Sequence, residues 1–134
     1  MIRPKEEIIK YRLNKAKESL EEAQVMANMN HWQTCISRLY YACFYAVIAL
    51  LLKHDLSSPK HSGVRSLFNK EFISTEIIPK KHGELYNLLF KYRQQSDYED
   101  FFSIDENIVK QWMDQAVDFI DCIGKDLDIN ITPR

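Results

Sequence analysis

The sequence predicts an all-α fold, a compact up-and-down bundle of about five helices. Three observations carry that prediction. Turn residues are scarce, with 3 Gly and 4 Pro in 134 residues, too few for the many tight turns of an all-β chain. Hydrophobic residues make up 46% of the chain, enough for a core and too many for a disordered one. Apolar residues recur at steps of three and four, the period of a one-sided helix. The length favours one domain over 1–134, with its core at about 4–128.

The first helix is predicted from about Pro4 to Met29, with proline at its start, where a missing N–H costs nothing. Its apolar stripe is Ile9, Leu13, Ala16, Leu20, Ala23 and Ala27; Lys10, Asn14, Lys17, Glu21 and Gln24 form a solvated back. Asn28 to Asn30 makes a turn. The second helix runs from about His31 to Lys53 and is apolar all round after Arg38, so it is covered on most sides and central. Its longest apolar run, Leu39 to Leu52, has 14 residues, short of the roughly 18 that suggest a membrane span. Ser58 as N-cap and Pro59 as first helical residue open the third helix. It reaches about Phe72, with Val64, Leu67, Phe68 and Phe72 inward.

Ile73 to Pro79 connects to a fourth helix from about Lys81 to Asp97, burying Leu85, Leu88, Leu89 and Tyr92. Ser103-Ile104-Asp105-Glu106 reads as the capping box of the last helix. That helix buries Ile108, Trp112, Ala116, Phe119, Ile123 and Leu127, and the tail after Asp128 is expected to fray.

Charge and cysteines narrow the function. With 18 basic and 19 acidic residues the net charge is -1, so no global field draws the protein to nucleic acid or an anionic membrane. Contact with RNA would need a local patch. Cys35, Cys43 and Cys122 are odd in number and form no CxxC. They fit a reduced, cytoplasmic protein better than a disulfide scaffold or zinc site. Met1 to Lys10 lacks the apolar stretch of a signal peptide. No histidine or carboxylate group has metal-ligand spacing, no glycine-rich phosphate loop exists, and no serine or cysteine sits in an activation motif. No metal or cofactor is expected. His31 and His54, at the ends of the second helix, should be exposed.

Three constellations stand out. Arg93-Gln94-Gln95-Ser96-Asp97-Tyr98 places an acid one turn beyond an arginine and a phenol beside it. Arg93 can fork onto phosphate, Asp97 is placed to hold its rotamer, and Tyr98 can donate a hydrogen bond. The structural alternative is an exposed i,i+4 pair worth about 0.3–0.5 kcal/mol. Arg38 sits at the head of an apolar helix with Tyr41 and Tyr45 on its face. It needs either a ligand pocket or an acid on a neighbouring helix. Lys60-His61-Ser62-Gly63 and Lys80-Lys81-His82-Gly83 open two helices. Free N–H groups there could make a phosphate-attracting rim, with Gly63 keeping the approach open; the alternative is two solvated helix starts.

These pieces, in this order, resemble the HEPN domain, a small five-helix module, over nearly the full length. They are the first amphipathic helix, Ser37-Arg38-Leu39-Tyr40-Tyr41-Ala42-Cys43-Phe44-Tyr45-Ala46, Lys60-His61-Ser62-Gly63 and Arg93 to Tyr98. The chain looks like the prokaryotic subgroup with an aromatic second helix and an Arg-x-x-x-Asp-Tyr signature. The resemblance implies a homodimer with the arginine motifs near a shared cleft. It also implies a role beside a separately encoded nucleotidyltransferase in a toxin–antitoxin or defence-type system. Many members are metal-independent RNases with an Arg-x4-6-His motif. Here Tyr98 stands where that histidine would be and no histidine follows Arg93.

The reading ranked first is therefore a nucleotide- or RNA-phosphate-binding module, using Arg93 with Arg38, Tyr41, Lys60 and His61. The second is an RNase toxin in which Arg93 holds the phosphate, Asp97 orients it, and Tyr98 or His61 moves protons. The third is a structural dimerisation domain with Arg93 and Asp97 as an interface ion pair.

Overall fold

The computed structural model describes residues 4–127. The tail after Asp128, expected to fray, lies outside the described residues. Five α-helices follow one another: α1 (Lys5–Asn28), α2 (Trp32–Lys53), α3 (His61–Phe68), α4 (Lys80–Tyr98) and α5 (Glu106–Asp126). A π-helical turn, Asn69–Ile73, prolongs α3. No strand occurs among the described residues.

The central element is α2, which packs against each of the other four helices. Its sequence dictates that position. Cys35, Ile36, Leu39, Tyr40, Ala42, Cys43, Ala46, Val47, Ala49, Leu50 and Leu51 are all buried, so apolar side chains point to every side. Composition and length alone would let α2 cross a membrane, but most of that stretch is buried in the bundle, as expected of a core helix.

Both ends of the α1–α2 hairpin rest on a left-handed residue that the turn-poor sequence concealed. After α1, Asn30 has φ 63°. Its N–H donates to Ala27 O at 3.0 Å, and that of His31 to Met26 O at 2.8 Å. After α2, Asp55 has φ 59°, with Asp55 N–H on Leu52 O at 3.0 Å and Leu56 N–H on Leu51 O at 2.9 Å. These are the paired bonds of a Schellman cap, made with Asn and Asp, the non-glycine residues that best tolerate this conformation.

Several local expectations shift. The N-cap of α3 is Lys60, not Ser58. The Ser58 hydroxyl instead accepts the Lys60 N–H at 3.3 Å, a serine turn one step upstream. Asp105, not Ser103, caps α5, accepting the Asn107 N–H at 2.8 Å. Val109 is buried in α5 while Ile108 is 41% exposed, because the core-facing stripe runs through Val109, Trp112, Ala116, Phe119 and Ile123 in steps of three and four. In α4, Leu88 is exposed while His82 and Tyr86 are buried. Close contact of α4 with the π turn depends on Gly83, where a Cβ would stand 2.9 Å from Ile73 Cγ1. Gly63 does not hold an approach open; a Cβ there would stand 2.9 Å from Ser58 Cβ, so the loop itself fills that space.

Candidate functional site

Helices α2, α3 and α4 build the site together. On α2, Tyr40 is fully buried and Tyr41, one position round the helix, is half-buried. Phe44 follows one turn after Tyr40. From α4, Tyr86 stacks beside Tyr40 at 5.8 Å between ring centres, and Phe90 meets it edge-on at 6.1 Å. The result is an aromatic floor on the side of α2 that faces α3 and α4.

Two polar groups lie on this floor. His61, the first residue of α3, stacks on Phe44 at 4.4 Å with ring planes 10° apart. Its Nδ1 makes a 2.8 Å hydrogen bond with the Tyr40 hydroxyl. Arg93, in the last turns of α4, places its guanidinium 4.9 Å from the centre of the Tyr40 ring and 5.6 Å from that of Tyr41. Its Nη1 donates to the Tyr41 hydroxyl at 3.1 Å. Each ring face attracts the cation, by about 0.5–2 kcal/mol according to exposure.

The electrostatics make this pair chemically distinct from an ordinary surface patch. Burial, and then the Arg93 charge, hold His61 below its usual 6.5, so the imidazole is neutral at pH 7. Burial lifts the Tyr40 phenol above its ordinary value, against the Arg93 charge, and keeps it protonated. Burial also opposes the Arg93 charge, but the Tyr41 hydrogen bond, with Tyr40 and Asp97, outweighs it and holds the guanidinium charged. Arg93 has no carboxylate within ion-pair distance among the described residues. A fixed cation and a neutral proton acceptor or donor thus meet on Tyr40, with no carboxylate in ion-pair contact with the cation among the described residues.

The predicted site residues divide. Tyr41, His61 and Arg93 come together on the floor. Arg38 is only partly buried and finds its acid on the neighbouring helix, with Nη1 3.1 Å from Glu22 Oε1 on α1. Its guanidinium also lies 5.1 Å from the Tyr41 ring centre, so it flanks the site with its charge already engaged. Lys60 is exposed at the α3 cap.

Asp97 makes no ion pair with Arg93, whose guanidinium turns instead to Tyr41; the acid acts on it only through space. Tyr98 ends α4 with 83% of its surface exposed. The second basic helix start also resolves differently from a phosphate rim. His82 is 5% exposed and meets Phe119 edge-on at 5.6 Å, which leaves only lysines outside.

Sequence reasoning missed Tyr40 and Arg65. Tyr40 was hidden among similar aromatic residues, although its i+4 spacing from Phe44 and placement on the most covered face were available. Arg65, one turn after His61, stacks 4.5 Å from the Phe90 ring centre, and its Nε is buried without a hydrogen bond. The thiols take no part. Cys35 is pushed up to about 11 and Cys43 upward too, both by burial, so neither is a nucleophile.

Fold and site together define a class: a small all-α bundle that holds an unpaired cation and a neutral histidine on an aromatic floor. The HEPN domain matches residues 9–127, and the chain belongs to that family. A "UPF0332 protein" of Thermotoga maritima is 40% identical over 121 residues, covering 90% of this chain and 92% of that protein. Two proteins of Methanocaldococcus jannaschii are also similar. "Putative toxin MJ0142" is 40% identical over 87 residues, 65% of this chain and 59% of its own length. "Putative toxin MJ0605" is 29% identical over 112 residues, 84% of this chain and 83% of its own.

Proposed function

We propose that this HEPN protein binds RNA through a backbone phosphate, with Arg93 as the anchor and Tyr41 holding that anchor in place. The observation that carries this is the meeting of Arg93 and His61 on Tyr40, with no carboxylate within ion-pair distance of the arginine among the described residues. A guanidinium held on ring faces and left without an acid keeps its donors for an anion, and a phosphodiester matches its fork. Neutral His61 can give a hydrogen bond to the sugar or phosphate. The names of the M. jannaschii relatives support a place in a toxin–antitoxin system. The partner in that setting would be a separately encoded nucleotidyltransferase, and the working unit a cytoplasmic homodimer. Tyr98 and Phe101, 83% and 98% exposed just beyond Arg93, offer apolar surface for such contacts.

A second reading, RNA cleavage without metal, is favoured by the state of His61. A neutral imidazole beside a fixed cation can take the proton from a ribose 2′-hydroxyl. The 2′-oxygen then bonds to phosphorus, the bond to the 5′-oxygen breaks, and water protonates the leaving oxygen. Arg93 would stabilise the charge on phosphorus-bound oxygen during that exchange.

The test is a titration of labelled single-stranded RNA with wild-type protein and Arg93→Ala, followed by gel analysis of the same RNA with EDTA present. Binding lost in Arg93→Ala supports the anchor. Wild-type protein that binds no RNA, or Arg93→Ala that binds as well, contradicts it. Cleavage that vanishes in both Arg93→Ala and His61→Ala promotes the second reading.

A further inference from the structure

We propose that Arg65 is a second phosphate site, so that the seam between α3 and α4 holds two consecutive phosphates of one RNA strand. The inference rests on the phosphate reading of Arg93 and extends it by one nucleotide.

The seam is antiparallel and regular. His61 meets the Arg93 end of α4 through Tyr40. Arg65 lies over Phe90 at 4.5 Å. Asn69 donates to Asn87 Oδ1 at 3.1 Å. Steps of four along α3 therefore face steps of about three backward along α4. Arg93 and Arg65 enter the seam from opposite helices, over rings whose centres lie 6.1 Å apart, the scale of one step of a nucleic-acid backbone. Cations stand at the first two positions and an amide pair at the third. The charged run thus ends after two.

Arg65 repeats the features that single out Arg93. It is stacked on an aromatic ring, and no carboxylate lies within ion-pair distance of it among the described residues. Among the described residues its buried Nε finds no hydrogen-bond partner, and its two terminal nitrogens, which are not buried, bond to none either. Burying one edge of a guanidinium without a partner is unfavourable unless something compensates. A phosphate on the open edge would not reach that nitrogen, but its charge would offset the cost of the partly desolvated cation. The two arginines also share a floor: Phe90, under Arg65, touches Tyr40, under Arg93. The Arg65 charge is felt at both Tyr40 and Tyr86.

Two phosphates could instead belong to one nucleoside diphosphate. The seating of the two arginines on separate rings, Phe90 and Tyr40, favours a strand, in which phosphates are separated by a sugar.

The test compares 2′-O-methyl RNA, which cannot be cut through its 2′-oxygen, as a dinucleotide with one phosphodiester and a trinucleotide with two, beside ADP. Wild-type protein should bind the trinucleotide about tenfold more tightly than the dinucleotide. Arg65→Gln should remove that gain, leave the dinucleotide within about twofold, and flatten the trinucleotide's salt dependence by about 0.7 in log–log slope. Arg65→Lys should restore the slope, which a purely structural role would not require.

A trinucleotide that binds wild-type protein no better than the dinucleotide overturns the second site. So does an Arg65→Gln protein with unchanged trinucleotide binding, or ADP binding tighter than the trinucleotide. If Arg65→Gln does not fold, as judged by its helical circular dichroism, the wild-type length dependence and the Arg65→Lys slope decide. An Arg93→Ala protein that still binds the dinucleotide normally removes the underlying phosphate reading instead.

Discussion

Lys60-His61-Ser62-Gly63 and Lys80-Lys81-His82-Gly83 look alike as sequence, two basic helix starts with a histidine and a glycine, yet they end in different physical states. His82 faces the core, nearly sealed, edge-on to Phe119. His61 sits at the seam, stacked on Phe44 and bonded to Tyr40. Burial is the leading reason that both are harder to protonate than a free histidine. The neighbouring charges differ. His61 answers to Arg93, a cation with no acid partner. His82 has Lys81 pushing it down and Asp118 pulling it up. Some thirteen residues separate Lys80 from Arg93, about 20 Å of helix, so the basic start of α4 cannot join the site at its other end. The register of a histidine against the aromatic core, and not its local motif, decides whether it is structural or available for chemistry.

Substitutions can sharpen this contrast. The largest effect is expected at Arg93: Arg93→Ala should weaken RNA binding about 10- to 100-fold, the range of a lost charged hydrogen bond, with a fall of a few degrees in melting temperature from the lost ring contacts. Fluorescence anisotropy and a thermal melt measure the two. At the other helix start, Gly83→Ala forces a Cβ against Ile73. It should cost about 1–3 kcal/mol of stability in urea unfolding while folded protein binds RNA normally. Tyr41→Phe keeps the ring but removes the acceptor that holds Arg93. An affinity loss of about fivefold, near 1 kcal/mol, is expected in the same anisotropy assay. Arg38→Ala should do least, about 0.2–1 kcal/mol in stability, because its ion pair with Glu22 is largely exposed.

Acid should act on both histidines. Their native pKa values lie below 6.5, so just below pH 6.5 the unfolded chain binds protons that the native chain does not. The histidine contribution to stability is then full above pH 6.5 and declines as pH falls through that window. Denaturant midpoints measured from pH 7.5 to 5 should fall, and His82→Gln should flatten the decline.

Much of the fold was legible because it depends on periodicity. The apolar circumference of α2 announces a central helix, and the stripe of Ile9, Leu13, Ala16, Ala23 and Ala27 is buried as its spacing requires. Helix starts were less legible. Ser58 and Ser103 are good caps by type, but Lys60 and Asp105 occupy the cap positions. A cap is chosen by where the chain enters the bundle as well as by residue preference. The left-handed Asn30 and Asp55 carry no glycine to mark them.

At the site, Arg93, Tyr41 and His61 were expected in one pocket, but the way they meet, on the Tyr40 ring, was not legible. It depends on the antiparallel placement of α3 and α4, which no local spacing encodes. Asp97 was expected to hold Arg93 because i,i+4 residues are neighbours. The guanidinium instead finds ring faces and a hydroxyl across the helix interface. Nothing local marks Arg65, because its aromatic support comes from another helix.

The most direct test is an NMR titration of the two histidine rings, run without and with a short single-stranded RNA. His61 should titrate below 6.5 in the free protein and rise when RNA brings a phosphate to Arg93, while His82 stays put. In Arg93→Ala, free His61 should titrate higher and RNA should no longer move it. A His61 that titrates at 6.5 or above in the free protein and is indifferent to both Arg93 and RNA would contradict the shared site.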